Sequence, residues 1–333
     1  MKHANISFFI PHMGCPHQCT FCNQRSISGE TLAPSVETVI KTASAEALKM
    51  TEEKRRNTEI AFFGGSFTAI PTEKMIEYLE GAEKVVKEFG LLGIRLSTRP
   101  DAVSDEVLSV LKRYSVRSIE LGAQSTDDFV LSLNKRGHTA SDIALGSERI
   151  KKYGFSLGLQ IMPGLYGDTK ETALKTMEEV IGLRPDTVRI YPTVVVENTE
   201  LFGLYKSGEF TPLGLSEAVE IVSEMILRFE KAGIEVIKVG LHSEESLKSS
   251  CVAGPFHPAF KELCENRIFY DIIKKELIEK KLLTAKVFVN PKSISKAKGQ
   301  HSSNQKKLKE EGFEVEFLTD GSLGKYEIKI GRI

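Results

Sequence analysis

The sequence has few cysteines, no long apolar run and no net charge. Its five cysteines are an odd number, and too sparse in 333 residues for a disulfide framework. No apolar stretch approaches the roughly 18 residues that a membrane span needs, and no positively charged, apolar leader opens the sequence. Lys and Arg number 45, as do Asp and Glu. These absences predict a protein of the cytoplasm, where thiols stay reduced.

Length and composition predict an α/β protein with an appendage. The apolar share of 41% is enough for a core, and 333 residues suggest two domains or one large barrel with an addition. We expect a barrel over residues 1–240, a connector over 241–266 and a small, basic α/β domain over 267–333.

Short β-branched or aromatic runs alternate with amphipathic segments through two thirds of the chain. This alternation predicts parallel strands joined by right-handed helical crossovers, and its six or seven units suit a partial (β/α)6-type barrel. In such barrels the chemistry lies on loops at the carboxyl ends of the strands. The predicted strands are 4–10, 58–63, 92–97, 116–121, 155–161, 186–191 and 234–239. The predicted helices are 35–50, 72–89, 104–114, 127–152 with a break near Gly137, 169–182 and 214–232.

Three cysteines follow the first predicted strand at the spacing C-x3-C-x2-C. They are Cys15, Cys19 and Cys22, all within one short loop. Three thiolates can hold three irons of a [4Fe-4S] cubane and leave the fourth iron without a protein ligand, whereas most iron–sulfur electron carriers use four cysteines. The spacing therefore indicates a cluster with one iron open for chemistry. The alternative is structural zinc, which wants four ligands, and here only His12 or His17 could complete the set.

Short motifs follow the cysteine loop, mostly at the ends of later strands. They are 63–69 (FGGSFTA), 98–101 (TRPD), 121–125 (LGAQS), 134–139 (NKRGHT), 161–165 (IMPGL) and 190–193 (IYPT). Together with the three cysteines, they resemble the radical S-adenosylmethionine (SAM) domain of the Elongator catalytic subunit. A more distant similarity is to oxygen-independent coproporphyrinogen oxidases. The resemblance covers residues 1 to about 240.

The resemblance implies a role for nine residues. It implies that Cys15, Cys19 and Cys22 bind the cluster and that Phe21 packs near the adenine of SAM. Gly64 and Gly65 would line the methionine end of SAM, Gln124 and Gln160 would lie near its ribose, and Arg136 would pair with its carboxylate. The two glycines leave a bare backbone that a ligand can approach closely. The planar guanidinium of Arg136 suits a bidentate contact with a carboxylate, and its alternative is a solvated helix end.

Three departures limit what the resemblance implies. Ser97 stands where related enzymes often carry a carboxylate, and Tyr166 replaces a proline of the Pro-Gly-Leu-Pro-Gly loop. The Elongator subunit also carries an acetyltransferase domain after the barrel, for which these 333 residues have no room. Carboxymethylation of tRNA uridine is therefore not implied, and only the radical-generating half is.

The segment before the last domain is expected to be irregular. Residues 254–258 (GPFHP) are predicted to form a turn that caps the barrel or narrows its mouth. Cys251, His257 and Cys264 could bind a second metal, but their spacing is not compact, and buried or incidental thiols are commoner.

The last 67 residues are basic, with 15 Lys and Arg against 9 Asp and Glu. We expect a helix over 268–283, a strand over 286–290, two short helices around Gly299, the second over 302–311, and strands over 313–318 and 325–330. Helix, tight loop and basic helix resemble a KH RNA-binding module, with residues 299–302 (GQHS) as its GxxG loop. Phosphates would then meet Lys296, Lys298, Lys306, Lys307 and Lys309. The alternative is a solvated basic surface.

These observations predict a radical SAM enzyme with a [4Fe-4S] cluster and SAM as cofactors. Its expected substrate is RNA, a tRNA base, and its electron donor is flavodoxin or ferredoxin. Tyr191, Arg189 and His242 are candidates for substrate contact. Two alternatives are a radical SAM oxidoreductase for a small molecule, with the basic tail merely structural, and an RNA-binding protein with a non-catalytic cluster.

Overall fold

The structure, a computed structural model, describes residues 3–11, 13–16, 18–23, 32–241 and 245–332. The strands are β1 (Ala4–Ile10), β2 (Thr58–Gly64), β3 (Gly93–Thr98), β4 (Val116–Gln124), β5 (Ser156–Ile161), β6 (Thr187–Ile190), β7 (Val195–Val196), β8 (Glu235–Val239), β9 (Cys251–Ala253), β10 (Thr284–Val289), β11 (Glu314–Thr319) and β12 (Ile328–Gly331). The helices are α1 (Val36–Leu48), α2 (Glu52–Arg55), α3 (Thr72–Phe89), α4 (Asp105–Leu111), α5 (Asp128–Leu133), α6 (Ala140–Lys152), α7 (Lys170–Leu183), α8 (Glu200–Ser207), α9 (Leu215–Lys231), α10 (Glu245–Ser250), α11 (Phe260–Glu279), α12 (Ile294–Lys298) and α13 (Ser303–Glu310).

The main sheet is the parallel, sequentially ordered sheet that the alternation predicts. Its strands lie in the order β1-β2-β3-β4-β5-β6-β8, and every neighbouring pair is parallel. Asn5 on β1 and Arg189 on β6 line the same cavity. In a flat sheet these strands would stand about 24 Å apart, because neighbours are separated by about 4.8 Å. The sheet therefore curls into a partial barrel, and the predicted fold class is confirmed.

Strand periodicity separates an apolar outer face from a polar lumen. Alternate residues of each strand, such as Ile60 and Phe62 on β2 or Ile94 and Leu96 on β3, are buried in the main core. That core continues into the surrounding helices through residues such as Leu79. The intervening strand residues face the lumen and are largely polar. This arrangement places polar side chains where a ligand can reach them.

Local capping explains where the helices begin and end. The predicted break near Gly137 separates α5 from α6, since Gly137 has a φ of 68° and Thr139 forms a capping box with Asp142. Gly90, at a φ of 65°, ends α3. In the described ranges no helix combines the length and apolarity needed to span a bilayer.

The segment after β8 is more regular than predicted. Within the described ranges, residues 245–250 form α10, and β9 pairs with β7 in an antiparallel two-stranded sheet. Gly254, at a φ of 103°, packs against the backbone of Val194, so the 254–258 turn lies beside the chain that leaves β6. The pairing joins strands more than fifty residues apart, which local sequence patterns do not indicate.

One helix belongs to two hydrophobic cores. We predicted a helix over 268–283, but α11 begins eight residues earlier, at Phe260, and ends at Glu279. Phe260 and Ile268 pack in the barrel core, whereas Ile273 and Leu277 pack in the core of the C-terminal sheet. That sheet has the order β11-β10-β12, with β10 parallel to β11 and antiparallel to β12. Because the two halves of α11 pack in different cores, its first two turns were not recognised from the sequence pattern.

Candidate active site

The cysteine loop is packed against the glycine loop that follows β2. Gly65 N–H donates to the carbonyl of Ile10 over 2.7 Å, and Ser66 N–H donates to that of Met13 over 2.8 Å. A Cβ atom on Gly65 would overlap the Met13 carbonyl. Glycine is therefore required here so that two backbones can meet, in addition to any role in ligand approach.

Thr20 anchors the cysteine loop to two other parts of the site. Its hydroxyl donates to Oδ1 of Asn134 over 2.9 Å, and its carbonyl accepts from the N–H of Leu201 over 2.8 Å. Asn134 is fully buried and also donates to the carbonyl of Tyr166 over 2.9 Å. These bonds connect the loop after β1 with the motif after α5 and with α8. The cysteines are thus held by distant parts of the chain.

All nine residues that the sequence analysis placed at the site line one cavity of about 620 Å3. They are Cys15, Cys19, Phe21, Cys22, Gly64, Gly65, Gln124, Arg136 and Gln160. Arg189 and Tyr191 line the same cavity, while His12, His17 and His242 lie outside the described residues. The structure brings these side chains together, and their contacts with cluster or SAM stay predictions. A cavity of this size is within the usual range for cofactors and small ligands.

Arg136 is a buried side chain, 7% exposed, and not a solvated helix end. Its Nη1 donates to Sγ of Cys19 over 2.9 Å, and its Nη2 donates to the carbonyl of Gly122 over 2.7 Å. Its guanidinium lies 5.9 Å from the centre of the Phe21 ring. Its Nε is buried with no hydrogen-bond partner among the described residues. That orphaned donor gives the cavity an unused site for an anionic oxygen.

The two glutamines form a pair at the ends of β4 and β5. Gln160 Nε2 donates to Oε1 of Gln124 over 3.2 Å. Gln124 has a φ of 68°, which is unusual for a residue with a side chain. Its carbonyl accepts a hydrogen bond from the N–H of Met162 over 2.8 Å. A Cβ on Gly122 would lie 2.9 Å from Nε2 of Gln124. The backbone is therefore shaped to direct this amide into the cavity.

A buried ion network, which the sequence motifs did not indicate, lies along one wall of the cavity. Arg95 donates to Glu59 and to Glu120, each over 2.7 Å. Arg189 in turn donates to both oxygens of Glu120, over 2.5 and 3.0 Å. A Cβ on Gly158 would lie 2.7 Å from Cγ of Glu120, so that glycine makes room for the carboxylate. Charged residues at alternate positions of neighbouring strands were the available signal.

Charges within the network determine its protonation. Burial by itself would raise the pKa of Glu59, but His3 and Arg95 outweigh it and lower that pKa to about 2. Burial would likewise lower the pKa of Arg189, and Glu120 raises it instead. Burial raises the pKa of Tyr191, against the opposing effect of Arg189. At neutral pH the carboxylate of Glu59 and the guanidinium of Arg189 are charged, and the Tyr191 phenol is neutral.

Tyr191 and Arg189 present the network to the cavity. Nη1 of Arg189 lies 3.4 Å from the phenol oxygen of Tyr191, and its guanidinium lies 5.1 Å from the centre of the Phe63 ring. Ser97 is the register partner of Glu120 and also faces the cavity. A carboxylate, that of Glu120, is therefore present one strand away from position 97. Glu120 is, however, already bound by two arginines.

His138 is a buried neutral group behind the site. It is 5% exposed, and burial together with the nearby charge of Arg136 lowers its pKa to about 4. Its Nε2 lies 3.3 Å from the carbonyl of Ala123, and its Nδ1 has no hydrogen-bond partner in the described part of the chain. The imidazole thus supports the end of β4 without adding charge there.

The three thiolates of the cysteine loop fit a cubane cluster. Within the ranges that the structure describes, no three His, Cys, Asp or Glu side chains converge on one metal position. A cubane does not need such convergence, since each thiolate binds a different iron. Among the residues that the structure describes, no third metal-binding side chain joins Cys251 and Cys264, and Cys264 is fully buried in the barrel core.

Comparisons with known proteins agree with this geometry. The sequence matches the radical SAM superfamily over residues 9–180 and the radical SAM C-terminal domain over residues 185–269. It is 29% identical over 201 residues to the tRNA uridine(34) acetyltransferase of Methanocaldococcus infernus, covering 54% of this chain and 38% of that protein. It is 27% identical over 203 residues to Elongator complex protein 3 of Homo sapiens, covering 54% and 37%.

A solved structure shares the fold. Elp3 of Methanocaldococcus infernus, with an N-terminal deletion, superposes with a TM-score of 0.62 at 22% identity, covering 84% of this chain and 63% of that one. The chain spans less than half the length of the two relatives named above. The shared part is the radical SAM domain, which is Elongator-like as the motifs predicted.

Proposed function

Because the chain belongs to the radical SAM superfamily, we propose that it is an enzyme that uses a [4Fe-4S] cluster and SAM to modify a base of tRNA. The observation that carries this proposal is the shared cavity, where three cysteines meet an orphaned arginine donor and two amides. When bound, cluster and SAM together supply a 5′-deoxyadenosyl radical, which abstracts hydrogen from a substrate.

The chain's own residues bind and orient these groups. Cys15, Cys19 and Cys22 would hold the cluster, because three soft thiolates from one loop suit iron. Arg136 donates to the sulfur of Cys19 and would offer its free Nε to the SAM carboxylate. Hydrogen bonds from outside the metal's ligands orient those ligands and tune the metal. Arg136 thereby couples the two cofactors.

The remaining cavity residues position the ligand and the substrate. Gln124 and Gln160 offer amide groups suited to ribose hydroxyls, and the partly buried ring of Phe21, which lines the cavity, suits a planar base. Arg189 and Tyr191 would meet the substrate at the other side of the cavity, supported by Glu120. A network that is already hydrogen-bonded costs little reorganisation when substrate arrives.

The proposed substrate rests on two grounds. One relative is a tRNA uridine(34) acetyltransferase, and residues 267–333 are basic. The chain aligns with 38% of that relative, so acetyl transfer does not come with the comparison. The electron that the reaction requires would come from flavodoxin or ferredoxin. We place the enzyme in the cytoplasm, where such donors and reduced thiols coexist.

The test combines cofactor chemistry with RNA analysis. Protein reconstituted without oxygen should bind about four irons per chain and, with dithionite, convert SAM to 5′-deoxyadenosine. Cys19→Ala should abolish both, whereas Cys251→Ala should retain both. Mass spectrometry of tRNA nucleosides from a deletion strain should then reveal one missing modification. A fully loaded cluster that leaves SAM intact would overturn the enzymatic proposal and favour an RNA-binding protein. Turnover with unchanged tRNA would favour a small-molecule substrate.

A further inference from the structure

The C-terminal domain is attached to the barrel by polar contacts, some of them to the buried carboxylate of Glu265. Glu265, which is 3% exposed on α11, accepts from the phenol of Tyr326 over 3.1 Å and pairs with Lys296 over 2.8 Å. Lys325 pairs with Glu230 at the end of α9. The loop before β12 therefore contacts a barrel helix, and α12 contacts α11. These contacts hold the small domain in one orientation relative to the site.

The loop between α12 and α13 is tightly built. A Cβ on Gly299 would lie 2.8 Å from the backbone nitrogen of Asn304, so only glycine fits. His301 and Ser302 both have left-handed backbone angles, with φ of 51° and 58°. Asn304 donates to the carbonyl of Asn266 over 2.8 Å and to that of Ala297 over 3.1 Å. Its buried amide thus fastens the loop to α11.

This attachment places the loop near the barrel mouth. Asn266 lies six residues after Phe260, which is about 9 Å along the helix axis. Phe260 packs beside Gly240, since a Cβ there would lie 3.1 Å from its side chain. Gly240 directly follows β8 at its carboxyl end, the same end of the sheet that carries the cysteine loop. The turn of α11 that holds the loop is therefore about 9 Å, along the helix axis, from the end of the barrel where the cavity opens.

The structure divides the five lysines predicted to meet phosphate into two groups. Lys296 pairs with Glu265, and the ammonium of Lys307 lies 4.1 Å from the centre of the Tyr270 ring. Across the described ranges, no carboxylate lies within 4 Å of Lys298, Lys306 or Lys309. Lys298 directly precedes Gly299, and Lys306 and Lys309 lie three residues apart on α13, opposite its buried face.

We propose that Lys298, Lys306 and Lys309 bind the phosphate backbone of the RNA substrate and hold that strand beside the barrel mouth. The proposal rests on the proposed function and assigns the RNA contact to three lysines instead of five. Ammonium groups without a carboxylate partner supply sequence-independent, salt-sensitive affinity for a phosphate backbone. Reading of the base is left to the cavity. Lys296 and Lys307 maintain the domain and its attachment instead.

The test compares two triple variants of the full-length protein. One, called the patch variant, is K298Q/K306Q/K309Q. The control, K54Q/K84Q/K152Q, removes the same charge from exposed lysines near the carboxyl ends of α2, α3 and α6, which lead back to the other end of the barrel. Binding of an unmodified tRNA transcript is measured between about 50 and 200 mM salt, where phosphate contacts dominate the salt dependence.

The patch variant should bind tRNA at least tenfold more weakly. Its slope of log affinity against log salt should be smaller by about 2 to 3, because each lost phosphate contact removes roughly 0.7 to 0.9. The control should keep the wild-type slope. Equal slopes for the two variants, or no effect of either, would overturn the proposal.

A second readout separates this proposal from the proposed function. Formation of 5′-deoxyadenosine from SAM with dithionite, measured without RNA, should be unchanged in the patch variant. Loss of tRNA binding in the patch variant supports the contact between these three lysines and RNA even if wild-type protein fails to cleave SAM. Conversely, if the protein cleaves SAM but the three substitutions leave the salt dependence of tRNA binding unchanged, only the proposed lysine contacts are overturned.

Discussion

Arg136 and Cys19 are 117 positions apart in sequence, yet the guanidinium of one donates to the sulfur of the other over 2.9 Å. The same guanidinium donates to the Gly122 carbonyl at the end of β4. One side chain thus ties the cysteine loop to the middle of the sheet. Because it also keeps an unpartnered Nε, it is suited to meet a third group in the cavity.

Arg136→Lys should weaken SAM binding by about ten- to a hundredfold, since a hydrogen bond between charged groups contributes about 1.5–3 kcal/mol. A single ammonium cannot reproduce the planar fork that reaches Cys19, Gly122 and a carboxylate together. SAM binding to the reconstituted cluster is followed by its spectral change. Lys135→Gln, which alters the exposed neighbour, should bind normally. Wild-type affinity in Arg136→Lys would exclude the assigned contact.

Gly65→Ala should destabilise the protein and its cluster site, because the added methyl overlaps the Met13 carbonyl. We expect a loss of about 1–3 kcal/mol, typical of overpacking, and reduced iron uptake. Gly182→Ala is the matched control, since a Cβ there meets no atom within 4 Å and alanine favours a helix interior. Thermal melts and iron assays compare the two. Equal melting temperatures would contradict the inferred backbone contact.

Glu120→Gln should cost about 3–5 kcal/mol of unfolding free energy, because it removes the charge that Arg95 and Arg189 share in a buried site. Glu200→Gln is the comparison, as its pair with Lys135 is half-exposed and should contribute less than about 1 kcal/mol. Urea denaturation at pH 7 measures both. A similar small loss for each substitution would show that the network is not a major source of stability.

His138 should make the fold sensitive to mild acid. Its pKa is lowered to about 4 in the folded protein, whereas an unperturbed histidine protonates near 6.5. The unfolded chain therefore binds a proton that the folded chain excludes, and stability falls as pH decreases through this window. The loss reaches about 3 kcal/mol, since one pKa unit corresponds to about 1.4 kcal/mol.

His138→Gln should flatten that part of the pH dependence. Urea denaturation from about pH 7 to pH 4 provides the measurement, covering the range between the two pKa values. Parallel curves for wild type and His138→Gln would contradict the assignment.

Much of the barrel could be predicted from the sequence, because the signals for its strands and helices lie in neighbouring residues. The seven predicted strands lie within two residues of the observed ones at their starts, and the break at Gly137 was found from a single glycine. The nine residues predicted for the site line one cavity, because short motifs sit at strand ends where any parallel barrel collects its loops. Periodicity and turn residues act over a few positions, which is the range that a pattern reports.

The sequence by itself determined the alternation of strands and helices, the cysteine spacing and the basic character of the last domain. Only the tertiary structure decided which charges pair. Glu120 joins arginines from β3 and β6, Lys296 is taken up by Glu265, and Lys298 is left available. The physical reason is that an ion pair depends on distance in space, and the curl of the sheet and the course of α11 bring together residues that no local pattern relates.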